Sequence, residues 1–441
     1  MAKPLVAIVG RPNVGKSTFF NRIVGRRIAI VEDIPGVTRD RIYADARWQN
    51  TEFTLIDTGG IDVNSEEVLL SQMREQAQLA METADVIVFF TDAKDGVLSA
   101  DHEVADLLRR SNKPIVLAVN KVDHVNYEEL MYEFYELGMG TPYPISSVQS
   151  MGLGDLLDAI VDEFPDENAV YDDSNTIKIA IVGKPNAGKS SLVNSITGDN
   201  RVIVSDIPGT TRDAIDTFFT SEGKDYILID TAGMRKKARI EDASLERYSV
   251  IRALTAVRRC DVAIIMVDAE QGASEQDARI AGYVEEMGKA CIIVVNKWDL
   301  IEKNNKTMEE FKNKILSTLY FIDYAPMQFI SCLTGQRVHK ILEMVNMVHN
   351  KSNTRISTGM LNDAIDEAVM LVSPPTNKGR RLNILYATQG GVAPPNFILF
   401  VNDSDMLPKS YERYLVNHLR KSFDLQGTPI KITPRSRGGD E

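Results

Sequence analysis

The sequence predicts an α/β protein: two tandem copies of one mostly parallel sheet with helices on both faces, then a smaller α+β domain. Three observations predict it. The phrase Gly10-Arg11-Pro12-Asn13-Val14-Gly15-Lys16-Ser17 returns 173 positions later as Gly183-Lys184-Pro185-Asn186-Ala187-Gly188-Lys189-Ser190. In each copy, short apolar runs alternate with segments of helical periodicity, the pattern of parallel strands joined by helices. After residue 350 that rhythm stops.

Each repeated phrase follows an apolar run, at 5–9 and 177–182, and opens a helical pattern. Strand, glycine-rich turn, Gly-Lys-Ser, helix is the context of a phosphate-binding loop, or P-loop. Successive backbone N–H groups can wrap a triphosphate, and glycine lets the backbone come that close. The helix N-terminus adds free N–H groups and its dipole. Lys16 and Lys189 are placed to reach the β- and γ-phosphates, and Ser17 and Ser190 to put a hydroxyl on Mg2+.

In chain order, the first copy reads as a strand at 3–9 and a helix at 16–24. A Pro/Gly loop at 33–40 holds Thr38, and strands follow near 44–48 and 53–56. The second strand runs into Asp57-Thr58-Gly59-Gly60, a carboxylate and glycines where a Mg2+-bound water and a γ-phosphate would be read. Then come a helix at 66–81, a strand at 85–90, a helix at 100–110 and a strand at 114–119. Asn120-Lys121-Val122-Asp123 ends that strand. An Asp carboxylate there can accept two hydrogen bonds from the N1–H and 2-amino group of guanine, donors that adenine lacks. Asp123 takes that role, Asn120 holds the loop and contacts N7, and the stem of Lys121 covers the base. A short strand at 143–145, the turn Ser146-Ser147 and a helix at 153–164 complete the copy.

The second copy keeps register. Thr38 matches Thr211, and Asp57 matches Asp230 of Asp230-Thr231-Ala232-Gly233, both 173 apart. Asn120 matches Asn296 of Asn296-Lys297-Trp298-Asp299 at 176, and Ser146 matches Ser331, followed by Cys332, at 185. The offset grows only in helices and loops, as in duplicated domains. The expected division is a first domain at 1–165, an acidic linker at 166–175, a second domain at 176–350 and a third at 351–441. After Gly233 the second copy alone carries Met234-Arg235-Lys236-Lys237-Ala238-Arg239-Ile240. This basic cluster reads either as a solvated segment or as a nucleotide-controlled contact with a polyanion or a neighbouring domain.

The 441 residues carry a formal net charge of −12, which by itself argues against nucleic acid. Residues 351–441, however, hold 12 Lys and Arg against 9 Asp and Glu, so that segment is the better candidate for RNA. Three cysteines without CxxC spacing and five scattered histidines suggest a reducing compartment and no zinc-type site. No apolar run approaches a membrane span, and the first is too short for a signal peptide, so a cytoplasmic protein with no membrane partner is expected.

In the last segment, Leu361, Ala364, Ile365, Ala368 and Val372 mark a helical face ended by Pro374-Pro375. Strands are expected at 381–388 and 396–402, around a Gly390-Gly391 and Pro394-Pro395 turn. Tyr411, Tyr414, Leu415, His418 and Leu419 define a second helical face, with Arg413 and Arg420 opposite, and 430–433 a last strand.

Two copies each of GxPNxGKS, PGxTRD, DTxG and NKxD resemble the Der family of double Era-like GTPases, also called EngA, over the whole chain. The resemblance implies two P-loop NTPase G domains and a C-terminal KH-like domain. It also implies a monomer that binds GTP and GDP, hydrolyses GTP, and acts on the large ribosomal subunit and its rRNA during assembly. Thr38 and Thr211 would close over Mg2+ and the γ-phosphate. Ile61 and Met234 stand where many GTPases have a water-orienting Gln, and neither can hydrogen-bond a water. The resemblance assigns Asn13 and Asn186 to a K+ ion in place of an arginine finger. No GxxG occurs after Thr354, so the usual KH clamp on RNA is not expected. Two other readings remain open at this stage: a GTP-dependent scaffold with little hydrolysis, and a GTPase that drives tRNA modification.

Overall fold

The computed structural model describes residues 3–24, 43–57, 66–111, 113–123, 128–164, 176–199, 202–204, 216–230, 244–302, 304, 306–377 and 380–436. The chain divides into one unit at 1–172 and another at 173–441. The expected linker at 166–175 lies outside the described residues.

In the first unit, β1 (Leu5–Gly10), β2 (Tyr43–Trp48), β3 (Thr51–Asp57), β4 (Val86–Asp92), β5 (Ile115–Asn120) and β6 (Pro142–Pro144) form one sheet in the order β2-β3-β1-β4-β5-β6. Only β2 is antiparallel to its neighbour. β1 is buried along its whole length because both faces of the sheet are covered. Val6 and Ile8 pack with Phe19, Phe20 and Leu156 on one face, while Ala7 and Val9 pack with Met73, Ala77 and Leu108 on the other. The covering helices are Lys16–Ile23 and Leu153–Asp162 on the first face, and Glu66–Thr83 and Ser99–Arg109 on the second.

The second unit repeats this plan. β7 (Ile177–Val182), β8 (Val202–Val204), β9 (Thr217–Ser221), β10 (Lys224–Ile229), β11 (Val262–Asp268), β12 (Ala290–Asn296) and β13 (Met327–Phe329) run in the order β13-β12-β11-β7-β10-β9-β8. Ile177, Ile179 and Ile181 pack against Leu192 and Ile196, and against Ile341, Val345 and Val348 of the helix Lys340–Ser352. Cys260 and Cys291 are fully buried in this framework, as small hydrophobes are.

The C-terminal segment departs in detail from its expected layout. A small hairpin, β14 (Thr376–Asn377) with β15 (Arg380–Arg381), precedes β16 (Ile384–Gly391), so one expected strand is two. Gly390 and Gly391 belong to β16 rather than to the turn. β16 pairs antiparallel with β17 (Asn396–Val401), which pairs parallel with β18 (Lys431–Ser436). The helices Thr358–Leu371 and Lys409–Ser422 join one core with this sheet through Leu361, Ile365, Leu415, Leu419, Phe397 and Leu399. Tyr411 and Tyr414 lie across that contact, donating to the carbonyls of Val372 and Ala368 at 2.8 Å. Val372, expected on the apolar face, is exposed just beyond the helix end.

Arg420 corrects another expectation. It does not face solvent: its guanidinium stands 4.2 Å from the Tyr324 ring centre and donates to Thr428 O at 3.1 Å. Around it the chain docks by main-chain bonds, Cys291 N to Gly427 O and Gly427 N to Tyr324 O, both at 2.8 Å. Glu285 lies in the same contact, with Arg420, Arg413 and Asp323 as its charged neighbours, and burial pushes its carboxyl up to about 7 despite the two arginines.

A raised carboxyl pKa means the folded chain holds that proton more tightly than the unfolded one. The resulting stability is present at low pH and is lost as pH rises from about 4 through about 7. The Glu285→Gln variant should therefore match the parent at about pH 4 and exceed it in urea denaturation at about pH 8. Parallel pH profiles for the two proteins would refute this.

Candidate functional site

The two repeated loops fold alike. Gly10 ends β1 and Gly183 directly follows β7, Asn13 and Asn186 take left-handed conformations at φ 65° and 63°, and Gly15 and Gly188 do so at 95° and 97°. A side chain at Gly15 would meet Asn120 Nδ2 at 2.2 Å, and one at Gly188 would meet Asn296 Nδ2 at 2.1 Å. Those amides are there because they tie three loops together. Asn120 Nδ2 donates to Val14 O at 2.7 Å, and Asn120 Oδ1 accepts from Ser147 N at 3.0 Å. Asn296 repeats both bonds with Ala187 O and Cys332 N, each at 3.0 Å.

Lys16 is buried and curls into its own loop, donating to Gly10 O at 2.6 Å and Arg11 O at 2.5 Å. Burial pulls its pKa down to about 8, against the attraction of Asp57. Lys189 makes the same bonds to Gly183 O and Lys184 O at 2.8 and 2.7 Å. Ser17 Oγ, at the N-terminus of the helix Lys16–Ile23, donates to Asp57 Oδ2 at 2.7 Å. A hydroxyl and a carboxylate facing each other beside a lysine fit a hard, oxygen-seeking cation such as Mg2+. In the second copy Asp230 stands one residue past β10 with φ 59°, its N–H turned to Asp216 Oδ1 at 3.0 Å. Asp216 in turn pairs with Arg259.

At the expected base loop, Asp123 accepts from Ser146 Oγ at 3.0 Å and from the exposed Lys94 Nζ at 2.7 Å. The second copy has Asp299 and Ser331 at matching positions, and Glu270 where the first has Lys94. Cys332 sits near Asp299, and burial with that carboxylate pushes its thiol up to about 11. Lys121 and Lys297 are both left-handed, at φ 68° and 62°.

Several predicted residues serve the scaffold through their side chains. The Val122 and Trp298 side chains are core, Trp298 packing on Phe329 and Phe311, and Val14 and Ala187 are buried. Arg11 is committed elsewhere: Nε donates to the fully buried Asp101 at 2.9 Å, and Nη1 lies 3.5 Å from Asp95. Pro12, Pro185 and Lys184 sit in the loops at or near the surface. Thr38, Thr58, Gly59, Gly60, Ile61, Thr211, Thr231, Ala232, Gly233 and Met234 lie outside the described residues, as does the basic cluster at 234–240.

Sequence reasoning missed three supports. Asp92 at the end of β4 pairs with Lys121, and Asp268 at the end of β11 pairs with Lys297 at 2.6 Å. Asp101 anchors Arg11. The signal was present: Asp92 and Asp268 repeat at 176 positions, the offset that links Asn120 and Asn296.

Two P-loops, each tied by an Asn to a second loop at the carboxyl end of a mostly parallel sheet, are the arrangement of a tandem P-loop GTPase. A family model described as a 50S ribosome-binding GTPase matches residues 5–121 and again 178–297. A second, the KH-domain-like C-terminal domain of EngA bacterial GTPase enzymes, matches 355–435. The chain is 58% identical over 438 residues to GTPase Der of Ruminiclostridium cellulolyticum, covering 99% of each. It is 57% identical over 439 residues to GTPase Der of Alkaliphilus metalliredigens, covering 100% of each. It is 56% identical over 437 residues to GTPase Der of Geobacillus thermodenitrificans, covering 99% of this chain and 100% of that one. The chain belongs to the GTPase Der family, and its activity is the hydrolysis of GTP.

Replacing Asn120 by Ala strands the Val14 carbonyl and the Ser147 N–H. The first unit should lose about 2 kcal/mol, with faster amide exchange around residues 14 and 147 and no change around 187 and 332. Uniform exchange across both copies would contradict the bridging role.

Proposed function

We propose that this GTPase acts in assembly of the large ribosomal subunit, binding ribosome and rRNA in a nucleotide-dependent way as a cytoplasmic monomer. The ribosomal partner is supported by the description of the matching family, a 50S ribosome-binding GTPase. Among the described residues no helix is long and apolar enough to cross a membrane.

The observation that carries the catalytic reading is the Ser17–Asp57 contact at 2.7 Å beside the buried Lys16. In this reading the loops 10–17 and 183–190 wrap the phosphates with their N–H groups. Lys16 and Lys189 shift from their loop carbonyls toward the β- and γ-phosphates. Ser17, Thr38 and Asp57 hold Mg2+ in the first site, and Ser190, Thr211 and Asp230 in the second. Mg2+ when bound supplies charge neutralisation on the β- and γ-phosphate oxygens. Gly60 and Gly233, with the neighbouring 58–61 and 231–234 segments, meet the γ-phosphate.

Asp123 and Asp299 read guanine, Asn120 and Asn296 hold the loops, and the stems of Lys121 and Lys297 flank the base. Lys121 is aimed by Asp92 and Lys297 by Asp268. The main chain at Ser146, Ser147, Ser331 and Cys332 closes the base pocket. Asn13 and Asn186 are exposed at the rim of their loops, a position suited to a monovalent cation at the phosphates.

Lys16→Ala and Lys189→Ala, made singly, should each abolish turnover at one site, about a hundredfold or more below that site's parent rate. Single-turnover assays on each variant then divide the activity between sites. Turnover should be faster in KCl than in NaCl at equal ionic strength, and equal rates would remove the K+ role. Co-sedimentation with ribosomal subunits should require a non-hydrolysable GTP analogue and weaken with salt. Absence of subunit binding in every nucleotide state would sink the ribosomal reading.

A further inference from the structure

The sheet β16-β17-β18 has one face under its helices, where Phe397, Leu399, Val401 and Ile432 are buried. The alternate residues form the other face. Register places Tyr386, Phe400 and Arg435 in one row across the three strands, and Thr388, Ile398 and Thr433 in the next. The Tyr386 and Phe400 rings stack, with centroids 4.2 Å apart and planes 12° from parallel. Ile398 lies over Gly390, where a Cβ would come within 2.6 Å of its Cδ1, so the Ile398 side chain occupies the space a larger residue at 390 would need.

Two features go beyond ordinary cross-strand packing. Tyr386 is 46% exposed on the edge strand β16, so a further planar group can continue the stack. Lys431 and Arg435 are exposed on the same face, and none of the three strands contains an Asp or Glu. In a chain of net charge −12 this is a local reversal of sign. Planar π-faces suit bases, and cations beside them suit the phosphates that link bases.

We propose that this sheet face binds single-stranded RNA, with one base stacked on Tyr386 and phosphates on Arg435 and Lys431. No GxxG clamp is needed, because the strand lies on the sheet rather than across a helix–helix turn. The inference rests on the reading of the ribosome as partner and supplies a site for its RNA.

The test is fluorescence anisotropy of the full-length protein with a labelled oligouridine of about ten nucleotides, across a salt series, with the annealed duplex as control. The parent should prefer the single strand. Tyr386→Ala should weaken it about tenfold, Tyr386→Phe should keep it, and Arg435→Ala should reduce the salt slope by about one. GTP turnover and circular dichroism of each variant should match the parent, since none of these residues belongs to the nucleotide sites. Unchanged affinity in Tyr386→Ala, or an equal loss in Tyr386→Phe, would overturn the proposal. So would Tyr386-dependent binding to RNA-free ribosomal protein in place of RNA. If the parent ignores single-stranded RNA yet co-sediments with subunits, the sheet site is wrong and the ribosomal reading stands. RNA binding through Tyr386 without subunit binding supports the site and removes the ribosome.

Discussion

The rest of each nucleotide site depends on one side-chain amide. Asn120 gives its N–H to the phosphate loop and its carbonyl oxygen to the turn at Ser147, and Asn296 does the same in the second copy. Both residues are buried, so the loops could not stay apart without leaving polar groups unpaired. The same amides explain Gly15 and Gly188, where any Cβ would displace them. A phosphate loop and a base loop more than a hundred residues apart are thereby fixed as one surface.

Upon that shared frame the copies diverge in their charged fittings. In the first, Arg11 is tied to Asp101, which also caps the helix Ser99–Arg109 by accepting from Leu98 N. In the second, Lys184 takes the place of Arg11, and Asp277 binds Ser274 through Oδ2 while its Oδ1 is buried without a hydrogen-bond partner. Asp57 ends a regular strand against Ser17, whereas Asp230 is left-handed and its N–H goes to the Asp216–Arg259 pair. Lys94 lies on the Asp123 carboxylate of the first copy, where the second has Glu270. The duplication preserved the main-chain cradle and varied what surrounds it.

The C-terminal segment is held to the second sheet domain by more than surface contact. Gly427 is bonded through both its N–H and C=O, and Arg420 caps the junction over Tyr324. This arrangement fixes one side of the segment and leaves the helix-free sheet face with its stacked rings and cations.

The duplication, the class of fold and the two loops can be read from the amino-acid order alone, because strand–turn–helix context and a repeating offset are local properties. That order also supplies the helical faces of the last segment, since Leu361, Ile365, Leu415 and Leu419 recur at helical spacing and are buried together. Which motif side chains face the site depends instead on long-range packing. Arg11, Val122 and Trp298 belong to motifs yet turn inward to a buried carboxylate or a hydrophobic core. Arg420 reads as a surface residue but is an anchor, and Tyr386 and Phe400 meet only because β16 and β17 pair in that register. Spacing along a chain sets which residues share an element, whereas the partner of a charge or a ring is set by what the other elements bring to it.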